Sequence, residues 1–215
     1  MFYLILQHCC VKAVQINIKK YITMKFFFQA KPLMLSSIFI SLITIVSCSD
    51  DPEDPIVENE EEVITTLTYT LTPFKGGSAV VLSYRDLDGD GDGEPTITNG
   101  TLSPATTYTG ALTLLNETES PAESITEEIE EEDADHQFFF VTTMSDLQIV
   151  YADTDSNGNP LGLLTSVTTG EAGSGIIQVI LRHKPDKIAS GVASGDITSA
   201  GGETDIDIEF AVTVE

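Results

Sequence analysis

Two acidic loops hold the side chains whose types and spacing are best suited to chemistry. They span residues 86–94 and 153–159, and each contains the pattern Asp-x-Asp-x-(Asp or Asn)-Gly. Alternate side chains of such a loop direct oxygen atoms at one centre, and the glycine permits a sharp turn, which suits the six to eight oxygen ligands of Ca²⁺. The predicted calcium ligands are Asp86, Asp88, Asp90 and the carbonyl of Asp92 in the first loop, and Asp153, Asp155, Asn157 and the carbonyl of Asn159 in the second.

Neither loop is a complete calcium site of the helix–loop–helix kind. The bidentate Glu expected at the twelfth position is replaced by Ile97 in the first loop and by Leu164 in the second. Counting from Asp88 instead brings Asn99 to that position, which is weak compensation. The alternative is a pair of hairpin turns, because Asp-Gly and Asn-Gly sequences favour them.

The spacing of the histidines and cysteines does not predict a second metal site or a catalytic site. His136 and His183 each stand alone at the end of a predicted strand. Without a Cys, or a His partner on the same helix, they predict neither a zinc site nor a catalytic triad. The sequence also lacks a nucleophile elbow, a phosphate-binding loop and a dinucleotide fingerprint. We therefore expect a protein that is not an enzyme.

The charge is strongly asymmetric along the chain. From Cys48 onward the protein carries all of its 34 Asp and Glu but only five of its ten Lys and Arg, a formal charge of −29. So acidic a region repels nucleic acid and anionic lipid head groups, and it attracts divalent cations. We expect no nucleic-acid partner.

The segment Met24–Cys48 has the features of an export signal. Lys25 and Lys31 form a positively charged front, and residues 33–46 are mostly apolar. The tetrapeptide Ile45-Val46-Ser47-Cys48 resembles the lipobox of bacterial lipoproteins, which implies cleavage before the cysteine and a lipid such as palmitate on its thiol. A transmembrane anchor is the alternative, but the apolar run is shorter than the roughly 20 residues that a span needs.

The flanking segments complete the predicted organisation. Residues 1–23 fit no signal peptide and are expected to be an extension from a mis-assigned start, followed by the signal peptide 24–47. Residues 48–62 are acidic and interrupted by proline, which predicts a disordered tether before a folded domain 63–215. The Ser-Asp-Asp after Cys48 resembles the surface-export signal of Bacteroidetes lipoproteins. This resemblance implies an outer-membrane lipoprotein exposed on the cell surface, the alternative being an anchor that faces the periplasm.

Most of the remaining sequence has the two-residue period of half-buried strands. Thr alternates with apolar residues in 65–71, and Ile, Phe and Val alternate with polar or small residues in 206–214. Clusters of Gly, Asn, Pro and Asp separate these runs. The predicted strands span residues 63–71, 79–84, 107–115, 137–142, 147–151, 163–168, 176–181 and 206–214.

One helix is predicted between these strands. Ser120, Pro121 and Glu123 form a capping box, and Ile125 and Ile129 share one helical face. Eight or nine short strands with one short acidic helix predict an all-β fold, an antiparallel β-sandwich of immunoglobulin-like type. A doubly wound α/β fold would need helices between most strands.

Four short stretches connect the chain to a known family. They are Cys48-Ser49-Asp50-Asp51, Leu114-Leu115-Asn116-Glu117-Thr118, Ile125-Thr126-Glu127-Glu128-Ile129 and Ala200-Gly201-Gly202-Glu203-Thr204-Asp205-Ile206. In them the chain resembles a family of flavobacterial (Bacteroidetes) lipoproteins, sometimes labelled type 1 periplasmic-binding-fold members. That label implies repeated βαβ units, which the strand pattern lacks. The resemblance implies an envelope location but no activity.

Three functions remain compatible with these patterns. The first is a lipid-anchored, exported, non-enzymatic binding or structural module, stabilised by calcium, with a protein or a small molecule as its ligand. The alternative is a solute-binding lipoprotein that delivers a small ligand to an outer-membrane or envelope transporter. The third is a hydrolase with two carboxylates as acid and base, which requires two acids about 5–10 Å apart in a cleft.

Overall fold

The computed structural model describes residues 62–87 and 93–215. All of them belong to one unit, Val57–Glu215. The predicted start extension, the signal peptide, Cys48 and the tether up to residue 61 lie outside the described residues. Three of the predicted calcium ligands, Asp88, Asp90 and Asp92, lie outside them as well.

The described chain forms ten strands. They are β1 (Thr66–Pro73), β2 (Val80–Arg85), β3 (Thr96–Thr98), β4 (Gly100–Leu102), β5 (Thr107–Leu115), β6 (His136–Thr142), β7 (Gln148–Tyr151), β8 (Leu164–Thr168), β9 (Gly173–His183) and β10 (Glu203–Val214). The order in the six-stranded sheet is β3-β2-β1-β5-β8-β7, and the order in the four-stranded sheet is β4-β10-β9-β6. The pairs are antiparallel except β4–β10, which is parallel.

The two sheets pack face to face and enclose one main core. Alternate residues of β1, such as Leu67 and Leu71, are fully buried, while the Thr residues between them face outward. Across the interface, Tyr69 of the six-stranded sheet contacts Phe140 of the four-stranded sheet, with ring centroids 5.7 Å apart. The predicted all-β sandwich is therefore confirmed, and its two-residue periodicity reflects one buried and one exposed face on each sheet.

Two short strands were not predicted from the sequence. Strands β3 and β4 are each three residues long and are separated only by Asn99. They belong to different sheets, so the chain crosses from one sheet to the other at this residue. The Asn99 side chain accepts a hydrogen bond from the Ala211 N–H of β10 at 2.8 Å. Runs this short show no periodicity, which is why the sequence pattern does not reveal them.

The α-helix of the described residues, α1 (Ile125–Glu131), begins later than predicted. Ser124 is its N-cap and accepts a hydrogen bond from the Glu127 N–H, so the predicted cap at Ser120 is wrong. Asn116 and Glu123 form two backbone hydrogen bonds of 3.0 Å, which keeps Glu123 extended. Ile125 and Ile129 are buried on one face, as predicted. Among the described residues no helix combines the length and apolar character needed to cross a membrane.

Candidate metal centre

Two histidines from neighbouring strands meet at one end of the four-stranded sheet. His136 is the first residue of β6 and His183 is the last residue of β9, and antiparallel pairing places them directly opposite each other. Their ring centroids lie 4.7 Å apart. Both are buried, with 0% exposure for His136 and 5% for His183. Two imidazoles so close together and so far from water need a partner other than each other.

A carboxylate reaches this position from the beginning of β10. Asp205 lies where the register between β10 and β9 shifts, between Thr204 and Ile206, which marks a bulge. Bulges redirect a side chain relative to the regular alternation of a strand. The close approach of this segment to the His183 backbone also requires glycine at position 202. Gly202 has φ +71°, and a Cβ atom there would lie only 2.3 Å from the His183 carbonyl oxygen.

The fourth group comes from the segment that precedes β1. The Glu62 carboxylate lies beside the histidines, with Oε1 2.9 Å from His136 Nε2 and a side chain that is 9% exposed. The sequence pattern assigns this residue to the tether, but here its side chain contacts the folded domain. Within the described residues, neither Glu62 Oε2 nor His136 Nε2 has a hydrogen-bond partner of good geometry. Both atoms are buried.

Together the four side chains form what we call the metal centre. One ligand atom from each of Glu62, His136, His183 and Asp205 lies within 4.8 Å of the others. A tetrahedral ion at about 2.1 Å from its ligands requires ligand atoms roughly 3.4 Å apart, so small side-chain rotations suffice to close the set around an ion. Imidazole nitrogens with carboxylate oxygens are a donor set for zinc and related transition metals.

A second hydrogen bond fixes the orientation of one imidazole. His136 Nδ1 lies 3.2 Å from the carbonyl oxygen of Glu132. Because a carbonyl only accepts, Nδ1 must carry the proton, and Nε2 is the atom turned toward the other ligands. Metal-binding histidines commonly have this outer contact, which sets both the tautomer and the ring position.

The electrostatics of the centre favour charged groups despite burial. Burial acts to lower the pKa of His136, but contact with the Glu62 carboxylate outweighs it and raises the pKa above its ordinary value. Burial acts to raise the pKa of Glu62, and contact with His136 and the nearby His183 outweighs it and lowers the pKa. The pairing thus favours the charged forms of His136 and Glu62, and a metal ion at His136 Nε2 has to compete with a proton there.

A surface depression leads to the centre. It has a volume of about 320 Å³ and is lined by His183, Lys184, Gly202 and Glu203. His183 is the member of the cluster that lines this depression, which offers a route by which an ion can reach the cluster.

The second predicted calcium loop uses its carboxylates differently. Asp153 accepts hydrogen bonds from the N–H groups of Gly162 and Leu164, both at 2.7 Å. Asp155 accepts from the N–H groups of Asn157 and Asn159 at 2.9 and 2.8 Å. The loop is therefore a closed turn in which the acids bind the backbone. Calcium in this loop stays a prediction.

A lysine lies where a cation would bind in that loop. Lys187 is 5% exposed, and its Nζ donates to Asp155 Oδ2 at 2.9 Å and to the Asp133 carbonyl at 2.6 Å. Burial acts to raise the pKa of Asp155, but Lys187 and the backbone donors hold it below its ordinary value. An ammonium group thus neutralises this carboxylate, and calcium would have to compete with it.

Of the first predicted calcium loop, only the flanks are described. Asp86 accepts a hydrogen bond from the Tyr84 hydroxyl at 3.2 Å, and its N–H donates to the Thr65 carbonyl at 2.7 Å. Ile97, which replaces the twelfth-position Glu, lies in β3. The calcium prediction at this loop also stays a prediction.

The metal centre was missed because its ligands are far apart in the sequence. Glu62 and Asp205 bracket nearly the whole domain, and only the two histidines gave a signal. His136 opens one strand and His183 ends another, so antiparallel pairing of those strands would have brought them together. A search of protein-family models, of curated proteins and of solved structures gave no match to this chain. The functional case therefore depends on the geometry of the four ligands.

Proposed function

We propose that this protein is an exported, lipid-anchored, non-enzymatic module whose β-sandwich holds a divalent transition metal, with zinc as the best fit. One observation carries the proposal: four potential ligands from four separate chain segments converge within 4.8 Å. The two imidazoles are buried and adjacent, and Glu62 Oε2 and His136 Nε2 are buried without a hydrogen bond of good geometry. A bound ion would satisfy those atoms.

The donor set favours zinc over calcium. Calcium takes six to eight oxygen ligands, whereas this centre offers two nitrogens and two carboxylates. Zinc is bound by His and carboxylate ligands in a four-coordinate, tetrahedral arrangement. The sequence predicts calcium at the acidic loops, whereas the proposal places zinc at the metal centre.

A complete set of four protein ligands supports a structural role. Catalytic zinc sites have three protein ligands and keep one position for water or substrate. Here an ion would link the segment before β1 with the ends of β6 and β9 and the bulge of β10. Such a cross-link stabilises the folded state by the free energy of metal binding.

Zinc binding to the full chain is tested by metal analysis and calorimetry. Chelator-treated protein should bind one zinc ion per chain, and His183→Gln should lower the affinity by about 100-fold or more. Asp205→Asn should also weaken binding, whereas Asp207→Asn makes the same chemical change on the same strand at an exposed position that contacts Gln178. No zinc binding by the wild type, or equal binding by all variants, contradicts the proposal.

The envelope location is a separate part of the proposal. It is supported by the lipobox resemblance at Cys48 and by the Ser-Asp-Asp that follows it. Labelled palmitate should enter the wild-type protein, and Cys48→Ala should abolish both labelling and membrane association. Protease treatment of intact cells distinguishes surface display from a periplasm-facing anchor. An unchanged cellular location of Cys48→Ala would contradict lipid anchoring.

A further inference from the structure

The hairpin between β1 and β2 presents an exposed aromatic ring beside a lysine. Phe74 is 80% exposed, although its backbone N–H donates to the Thr107 carbonyl at 2.8 Å. The Gly76 N–H donates to the Pro73 carbonyl at 3.0 Å, which closes the turn that holds Lys75. The backbone is thus fixed while the phenyl ring remains in water. An exposed ring loses the free energy that burial of its apolar area would give, so a ligand that covers it gains that energy.

Phe74 and Lys75 belong to the wall of a pocket. The pocket has a volume of about 790 Å³, within the range of small-ligand sites. One wall is the hairpin, and the other is the segment that joins β4 to β5. Hydroxyl groups are common in its lining, from Ser78, Thr101, Ser103, Thr106 and Ser166. This combination of an exposed aromatic ring and several hydroxyls suits a ligand that is itself polyhydroxylated.

The charge of this pocket is opposite to that of the protein. Within residues 62–87 and 93–215, no Asp or Glu lines the pocket, although the chain from Cys48 onward has a formal charge of −29. Lys75 is the one charged side chain in the lining, and it makes no ion pair with another described residue. Local potential near Lys75 therefore favours a ligand with a single negative charge, since more distant carboxylates are screened beyond about 8–10 Å at physiological salt.

The pocket also contains a strained backbone position. Ala105 has φ +48°, a left-handed conformation that is unfavourable for residues other than glycine. Its N–H donates to the Gly170 carbonyl at 2.9 Å, which helps to maintain this conformation. Strained residues are concentrated where a fold must present a defined surface to a ligand.

The pocket lies at the end of the sandwich opposite the metal centre. Strand β10 begins beside His183 and ends beside Leu102, next to the pocket-lining residues Thr101 and Ser103. Its 12 residues span roughly 40 Å.

We propose that this pocket binds a saccharide that carries a carboxylate, such as a uronic acid. The sugar ring lies against the face of Phe74, its hydroxyl groups exchange hydrogen bonds with the Ser and Thr side chains, and its carboxylate pairs with Lys75. The ring contact and the ion pair supply affinity, and the hydroxyls supply orientation.

Calorimetric titration of the full chain with oligogalacturonate tests this assignment. We expect binding with a Kd between about 10 µM and 1 mM, and about tenfold weaker binding after either Phe74→Ala or Lys75→Gln. Fully methyl-esterified oligogalacturonate keeps the sugar and removes the charge, so it should bind the wild type about tenfold more weakly. The same ester should not distinguish the wild type from Lys75→Gln.

Three matched variants separate a specific site from a loss of folding. Phe74→Tyr and Lys75→Arg should retain binding, because each keeps the ring or the charge. Ile188→Ala removes an apolar group that is 86% exposed elsewhere and should bind like the wild type. No binding of oligogalacturonate at about 10 mM overturns the proposal. Binding of oligogalacturonate that survives both Phe74→Ala and Lys75→Gln overturns it as well. Equal affinity for the acid and its ester overturns the role of the carboxylate.

Discussion

The loop 153–159 and the metal centre both gather polar side chains, but with opposite outcomes. In the loop, the carboxylates of Asp153 and Asp155 accept hydrogen bonds from four backbone N–H groups. Lys187 then supplies the positive charge. In the metal centre, buried atoms of Glu62 and His136 face other ligand atoms without a hydrogen bond of good geometry. The loop carboxylates are satisfied by protein groups, whereas the metal centre retains buried polar atoms that a bound ion would satisfy.

The difference shows that acidic side chains close together in the sequence can be satisfied by protein groups. Asp155 accepts from N–H groups of its own turn, whereas the N–H groups that bind Asp153 belong to Gly162 and Leu164, beyond the loop. The four side chains of the metal centre instead converge from separate segments of the chain. Convergence of polar side chains therefore marks the metal centre as a candidate site, and calcium at the acidic loops stays a prediction.

The largest expected effect tests whether Lys187 replaces a cation. Lys187→Met should destabilise the domain by about 3 kcal/mol, at the low end of the range for breaking a buried ion pair because the loop lies near the surface. Chemical denaturation at neutral pH measures this change. The double variant Lys187→Met/Asp155→Asn should recover part of the loss, since no uncompensated charge remains. Wild-type stability of Lys187→Met would show that the pair is dispensable.

The second effect tests the metal centre by stability. At a zinc concentration 100 times the Kd, the wild type should gain about 2.7 kcal/mol in the free energy of unfolding. His136→Gln should lose this gain, because Nε2 is the atom turned toward the other ligands. Asp153→Asn changes the loop only and should respond to zinc like the wild type. Thermal denaturation with and without zinc measures the response of both variants. A full zinc response in His136→Gln would contradict the assignment of His136 as a ligand.

The third effect compares an exposed ion pair with the buried pair of Lys187 and Asp155. Arg85 and Glu117 form an exposed, bidentate pair with N–O distances of 2.8 and 3.0 Å. The hydrogen bond from Arg85, with that from Thr66, lowers the pKa of Glu117 to about 2. Because the folded-state pKa is depressed, the pair stabilises above about pH 5, and the contribution is lost as pH falls toward 2.

Glu117→Gln should therefore lower Tm by no more than roughly 2 °C at pH 7, far less than Lys187→Met. The gap between Glu117→Gln and the wild type should narrow as the pH is lowered through this window. Melting curves between pH 7 and pH 2.5 measure it. A gap that widened at acid pH would show that the pKa of Glu117 is not depressed.

The smallest effect concerns calcium in the second loop. If calcium binds there with a Kd of about 1 mM, then 1 mM calcium adds only about 0.4 kcal/mol to the stability of the wild type. Lys187→Met should respond more strongly, because the ammonium no longer occupies Asp155. A calcium titration followed by thermal denaturation compares the two. A larger response in the wild type would mean that calcium and Lys187 do not compete.

Local patterns were sufficient for most of the fold. The alternation around Tyr69 and Phe210 marked strands with one buried face, and the pair Ile125 and Ile129 marked the buried face of the helix. The predicted start of the helix was too early because Glu123 pairs with Asn116 across a turn, which keeps Glu123 out of the helix. No local propensity reports such a contact.

The sequence by itself established the strongly acidic composition and correctly predicted an all-β sandwich. It also predicts an export signal that ends before Cys48. These follow from composition and from period-two alternation, which depend on neighbouring residues. Only the tertiary structure decided that Glu62, His136, His183 and Asp205 meet, and that Lys187 neutralises the loop acid. Antiparallel pairing and one bulge bring these groups together, and their convergence depends on strand register across the whole sheet, which no short stretch of sequence encodes.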